Sequence, residues 1–102
     1  MDPMIRNVVL MRIPDDADQH VRDELEAGLQ GIAALDLPGQ LAVHVGLDAG
    51  LREGGWSAAI TSDWADATAY HAYDVDPEHN VHRARIVAVC ADVARVQLEI
   101  GS

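Results

Sequence analysis

Ten consecutive residues, Tyr70-His71-Ala72-Tyr73-Asp74-Val75-Asp76-Pro77-Glu78-His79, hold two phenols, two imidazoles and three carboxylates. His79 is the strongest candidate for chemistry among them. An imidazole with an ordinary pKa near ~6.5 takes and returns a proton at neutral pH. Tyr73 can donate a hydrogen bond to an enolate or carbonyl oxygen as charge develops there. Asn7 can orient either partner but cannot serve as a base near neutral pH. His79 also has a plain reading, as a first-turn helix residue bonded to backbone or solvent. For Tyr73 the plain reading is core packing with its hydroxyl at the surface.

Other groups are less specific. Trp56 can wall a binding pocket or fill a core that contains no phenylalanine. His44 is either exposed or lines a cavity between sheets. His71 and His20 read as solvated. His82 lies one turn beyond His79 and can share its helix face. Asp74, Asp76 and Glu78 are explained as caps and dipole partners. Arg52, in a glycine-rich loop, is a weak candidate for an anionic substrate. No metal-ligand spacing and no nucleotide or hydrolase motif is present, so neither metal nor organic cofactor is expected.

The elements that must position these groups follow from periodicity. Residues 4–13 form a strand, with Ile5, Asn7, Val9, Met11 and Ile13 on one face and Arg6, Val8, Leu10 and Arg12 on the other. Asp15 or Asp16 caps a helix that ends near Leu35, and its early carboxylates suit the helix dipole. Its apolar stripe is Val21, Leu25, Leu29 and Ile32, and Gly28 and Gly31 weaken it. After the turn at Leu37-Pro38-Gly39, residues 40–47 alternate as a half-buried strand. The glycine-rich loop 48–55 returns the chain antiparallel into a third strand over 56–62.

A short helix follows, capped by Asp66. Asp76-Pro77 then opens another, because aspartate caps well and proline suits the first helical position. It runs to about Cys90 with Val81, Ala84, Val87 or Ala88, and Ala91 inward. Residues 93–100 form the last strand, whose polar face (Arg95, Gln97, Glu99) reads as exposed or interfacial.

The order β-α-β-β-α(α)-β is the ferredoxin-like arrangement: an α+β fold with a four-stranded antiparallel sheet and helices on one face. The chain of 102 residues makes one domain, 1–102. The uncovered sheet face, expected to carry Val9, Met11 and Val43 or Ala42, calls for a second subunit packed sheet to sheet. Such a homodimer would leave a chamber walled in part by His79. A ligand-sized pocket there would measure roughly 300 Å³ or more.

Composition excludes several partners. The net charge of −10 argues against nucleic acid and anionic membrane surfaces. No apolar run approaches the ~20 residues of a membrane span. Cys90 is the only cysteine, which rules out an intrachain disulfide and fits a cytoplasmic setting. It reads as buried filler.

The segments MIRNVVLMRI, DAGLREGGWSAAITSDW, ATAYHAYDVDPEH and VARVQLEI together resemble the stress-responsive A/B barrel (Dabb) family across nearly the whole chain. That resemblance implies a ferredoxin-like protomer and a homodimeric α+β barrel. Some members are plant stress proteins. Others are polyketide cyclases of the olivetolic acid type, which perform an aldol condensation without a cofactor. Those cyclases use a Tyr-x-x-His-Pro-x-His segment and a histidine on the first strand. Tyr73 and His79 match that segment, Asp76 replaces the histidine before proline, and Asn7 replaces the first-strand histidine.

The resemblance implies a pocket for a small hydrophobic or polyketide-like ligand. It implies catalytic roles for His79 and Tyr73, with Asn7 near the substrate; Trp56 and His44 are the further substrate-binding candidates that the strand pattern offers. Two alternatives stand beside this lyase or cyclase reading. One is a non-catalytic stress-responsive or ligand-binding dimer. The other is a cofactor-free monooxygenase of the same barrel superfamily.

Overall fold

The computed structural model describes residues 2–101. Seven elements follow in chain order: β1 (Met4–Arg12), α1 (Gln19–Ala33), β2 (Gln40–Leu47), β3 (Ala58–Trp64), α2 (Ala67–Asp74), α3 (Pro77–Val87) and β4 (Asp92–Ile100). The strands form one antiparallel sheet in the order β2-β3-β1-β4. This is the expected ferredoxin-like sheet, with β1 and β3 central and β2 and β4 at the edges.

The register assigns every strand residue to a face, because side chains alternate. Asn7 lies opposite Ser62 and Gln97, and Met11 opposite Ala58 and Val93. Ile5, Asn7, Val9 and Met11 therefore share the helix-covered face with Ala58, Ile60, Ser62 and Trp64. Val43 and Val45 join them and pack against the core. This corrects the expected facing of β1 and β2. Val9, Met11 and Val43 lie under the helices; the uncovered face carries Ala42, one of the two alternatives expected on β2, together with Val8, Leu10, Ala94, Val96 and Leu98. The larger side chains of β3, Ile60 and Trp64, fall on the helix side and decide which face the helices cover.

The helix α1 begins later than its acidic prelude suggests. Pro14 to Ala17 closes a turn, with the Ala17 amide donating to the Pro14 carbonyl at 3.0 Å. Asp18 is then the cap, accepting from the Val21 amide at 3.0 Å. Asp15 and Asp16 stand ahead of the helix, and its first turn holds no acidic side chain. Leu25, Leu29 and Ile32 are buried as the stripe requires.

Gly28 and Gly31, weak helix formers, are where α1 meets α3. A side chain at Gly28 would strike Ile86, and one at Gly31 would strike the His82 ring. A salt bridge from Arg85 to Glu24 ties the same two helices at their outer edge.

The inward face of α3 differs from the expected valine stripe. His79 and Ile86 are buried, whereas Val81 and Val87 are 67% and 45% exposed. The cap at Asp76 sets this phase. It fixes His79 at the third helical position, and about two turns later the inward residue is Ile86.

Candidate functional site

Two buried clusters fill the space between sheet and helices. The larger holds Met11, Leu25, Leu29, Ile32, Ala58, Ile60 and Ile86. The smaller holds Ile5, Leu35, Trp64 and Tyr73. A cavity of about 40 Å³ lies where they meet, lined among others by Asn7, Tyr70, Tyr73, His79, Arg83 and Arg95.

Each functional side chain is placed by a specific local device. Asp66 caps α2 through the Ala69 amide at 2.8 Å, and this carries Tyr73 in over the end of the sheet. Tyr73 is 4% exposed and stacks on Trp64 with ring centroids 4.4 Å apart. Trp64 is anchored in turn, its Nε1 donating to the Ser62 hydroxyl at 3.0 Å. Asp76 caps α3 by accepting the His79 backbone N–H at 2.9 Å. Pro77 occupies the first turn. The His79 ring then packs against Tyr73, centroids 3.9 Å apart.

Asn7 is 3% exposed, and its Oδ1 accepts from Gln97 Nε2 at 2.9 Å. That contact leaves the Asn7 amide nitrogen as a donor.

The electrostatics divide the roles. Burial, and then the Arg83 guanidinium, push the His79 pKa down to about 4, against weaker opposition from Asp74, Asp76 and the Tyr73 carbonyl. The imidazole is therefore neutral at pH 7. Burial raises the Tyr73 phenol to about 12, so it remains a protonated donor. His79 Nδ1 is buried with no hydrogen-bond partner among the described residues. Such a group costs about 1–3 kcal/mol when left unpaired. A neutral imidazole, a phenol and an amide around one cavity can hold a carbonyl compound and move a proton on it.

The structure thus brings Asn7, Tyr73 and His79 together, on the helix side and within one protomer. The expected chamber between two sheets is not where His79 lies: the sheet itself stands between His79 and the open face. The pocket also falls well short of the expected volume. His44 is exposed on the open face, beside Asp63, and Trp56 lies at the other end of the sheet. Trp56 packs beneath the Arg12 guanidinium, 4.1 Å from its ring centroid, and lines a separate groove with Leu47 and Asp48. Neither residue reaches the His79 cavity.

Arg95 and Gln97, expected to be exposed or interfacial, reach the site, Arg95 as a lining residue and Gln97 through Asn7. Their alternation with Val96 and Leu98 carried that signal, once β4 is aligned with Asn7 and Val9.

The profile of the stress responsive A/B barrel domain matches residues 5–100. The chain belongs to this family. Among solved structures it is similar to a dimeric ferredoxin-like protein of unknown function from Thermobifida fusca, at 26% identity. That match covers 98% of this chain and 93% of the other, with a TM-score of 0.83. A dimeric ferredoxin-like protein from Bacteroides fragilis is 22% identical, covering 95% and 96% of the two chains, with a TM-score of 0.82. The hydroxynitrile lyase from Passiflora edulis is 19% identical, covering 100% and 97%, with a TM-score of 0.73. No curated protein sequence matches the chain.

In this A/B barrel protein, then, the two departures from the cyclase pattern have distinct structural outcomes. Asp76 has become the α3 cap, and Asn7 a buried amide held by Gln97. No group of three or more His, Cys, Asp or Glu among the described residues is arranged to hold a metal ion. No helix among them is long and apolar enough to cross a membrane.

Proposed function

We propose that this protein is a homodimeric, cofactor-independent enzyme of the lyase or cyclase type acting on a small carbonyl compound. Neutral His79 accepts and returns the proton. Tyr73 donates a hydrogen bond to the oxygen on which charge develops, and the Asn7 amide orients the substrate. One observation carries the reading: the buried, unpartnered Nδ1 of His79 belongs to a ring that lines the same cavity as Tyr73 and Asn7. A substrate that bonds to this nitrogen recovers the cost of leaving it unpaired.

A cavity of about 40 Å³ holds roughly three water-sized groups. It thus favours a reacting end of a few heavy atoms over a folded polyketide. The hydroxynitrile lyase of Passiflora edulis shares the fold, and lyase chemistry on a compound of that size suits this cavity. The homodimer is supported by the apolar open face, where Val96 and Leu98 are 49% and 44% exposed, and by the dimeric relatives. A cytoplasmic setting agrees with the lone Cys90.

The small cavity also favours a second reading, a non-catalytic dimer that binds a small ligand. Variants of the whole protein separate the two. Turnover of small aldol and hydroxynitrile substrates should fall on the order of 10²-fold in His79→Ala and in Tyr73→Phe, with dimerisation unchanged. Binding of such compounds without turnover in the wild-type protein would establish the ligand-binding reading instead.

A further inference from the structure

We infer that the ligand of the His79 cavity carries a carboxylate, held at the outer end of the cavity by Arg95. This inference rests on the reading of that cavity as a ligand site, and it names the substrate class: a short oxo acid, with its carbonyl end inward.

The chain has seven cationic side chains, all arginine, against seventeen carboxylates. Four are tied down: Arg6 to Asp63, Arg12 to Asp92, Arg83 to Asp74 and Arg85 to Glu24. Among the described residues, Arg22, Arg52 and Arg95 have no carboxylate within 4.0 Å. Only Arg95 of these three lines the cavity.

Its place is dictated by register. Arg95 pairs with Val9, so it extends from the edge strand on the helix side, next to the residues around His79. It is exposed, which puts its guanidinium at the solvent end of the cavity. The Tyr70 hydroxyl stands with it. Burial and Asp74 raise the Tyr70 pKa, while Arg83 and Arg95 oppose them, so both guanidiniums lie close enough to act on the phenol.

Asp74 is the one carboxylate among the described residues that lines the cavity. It is already held by Arg83, which donates to its Oδ1 at 2.7 Å and to its backbone carbonyl at 3.1 Å, and also to Asn80. Two arginines and one aspartate leave this end with a net positive charge. In a protein of net charge −10 the general field repels anions, so an anionic ligand needs a local cation of this kind. A guanidinium holds a carboxylate through paired N–H donors, and a neighbouring phenol adds a third. The inner cavity admits only a small group, which limits the ligand to a short chain.

The test uses the full-length protein, with binding followed by NMR chemical-shift titration. The probes are 2-oxobutanoate, 4-oxopentanoate and their primary amides. The acids should bind about tenfold more tightly than the amides, and salt should weaken only the acids. Arg95→Gln should erase that preference while leaving amide binding intact. Arg22→Gln, which removes the same charge elsewhere, should leave the preference unchanged.

Equal binding of acids and amides, or a preference that survives Arg95→Gln, overturns the carboxylate assignment. If the amides still bind and His79→Ala abolishes that binding, the cavity remains a ligand site and only the assignment falls. Failure of every probe to bind at millimolar concentration removes both.

Discussion

The imidazole of His79 lies 3.9 Å from the ring of Tyr73, centroid to centroid, and Tyr73 in turn stacks on Trp64. An aromatic face covers the imidazole where water would otherwise solvate a charge. The stack therefore has two effects. It holds the ring in place, and it keeps the ring neutral.

Acid should expose the second effect. Between pH 6.5 and about 4 the unfolded chain binds a proton on this histidine and the folded chain does not. Stability is therefore full above pH 6.5 and falls as the pH drops through that window. The loss should reach on the order of 2 kcal/mol by pH 5 and about 3 kcal/mol by pH 4. Urea unfolding at pH 7, 6 and 5 would show it, and His79→Gln should flatten the slope. The carboxyls of Asp63 and Glu24, held below their ordinary range by Arg6 and Arg85, act only at lower pH. An equal slope in the variant would place the effect elsewhere.

Asp76 positions His79 through the backbone rather than by touching the cavity. Asp76→Ala should cost about 1 kcal/mol, the usual value of a helix cap, and Asp76→Ser should recover most of it. Thermal unfolding of the two variants measures this. If the alanine variant is as stable as the parent, the cap does not hold the start of α3.

Gly28 presents a conflict between helix propensity and packing. Alanine would favour the helix by about 1 kcal/mol. Its Cβ would meet Ile86, and the His82 backbone carbonyl at 3.2 Å, where little can move aside. Gly28→Ala should therefore destabilise the protein by a net amount of about 1 kcal/mol or more. A rise in the denaturation midpoint would show that α1 and α3 separate freely.

The open face should respond differently from the core. Val96 is half-exposed opposite Val8, away from the helices. Val96→Asp should leave each protomer folded and convert the dimer to monomer, as read by light scattering with circular dichroism. A persistent dimer would mean that the copies meet through another surface.

Much of the architecture was legible along the chain. Alternation in β1 and β2, the 3.6-residue stripe of α1 and the Asp76-Pro77 cap are local signals, set by backbone geometry and short-range sterics. They define the order of strands and helices, and they put Tyr73 and His79 at the join between α2 and α3. The starting point of α1 was not legible, because Asp15, Asp16 and Asp18 are equivalent caps until the Pro14 turn selects one. Nor was the inward face of α3, whose exposed Val81 and buried His79 invert the usual ordering by hydropathy.

Local pattern thus settled the elements and nominated the candidate pair His79 and Tyr73. Folding settled which sheet face is covered, that Gln97 holds Asn7 across β1 and β4, and that Arg95 joins the cavity while His44 and Trp56 do not. The reason is that alternation divides a strand into two faces without saying which one the helices will cover. That choice depends on the summed packing of Ile60, Trp64, Tyr73 and Ile86, brought together from distant parts of the chain.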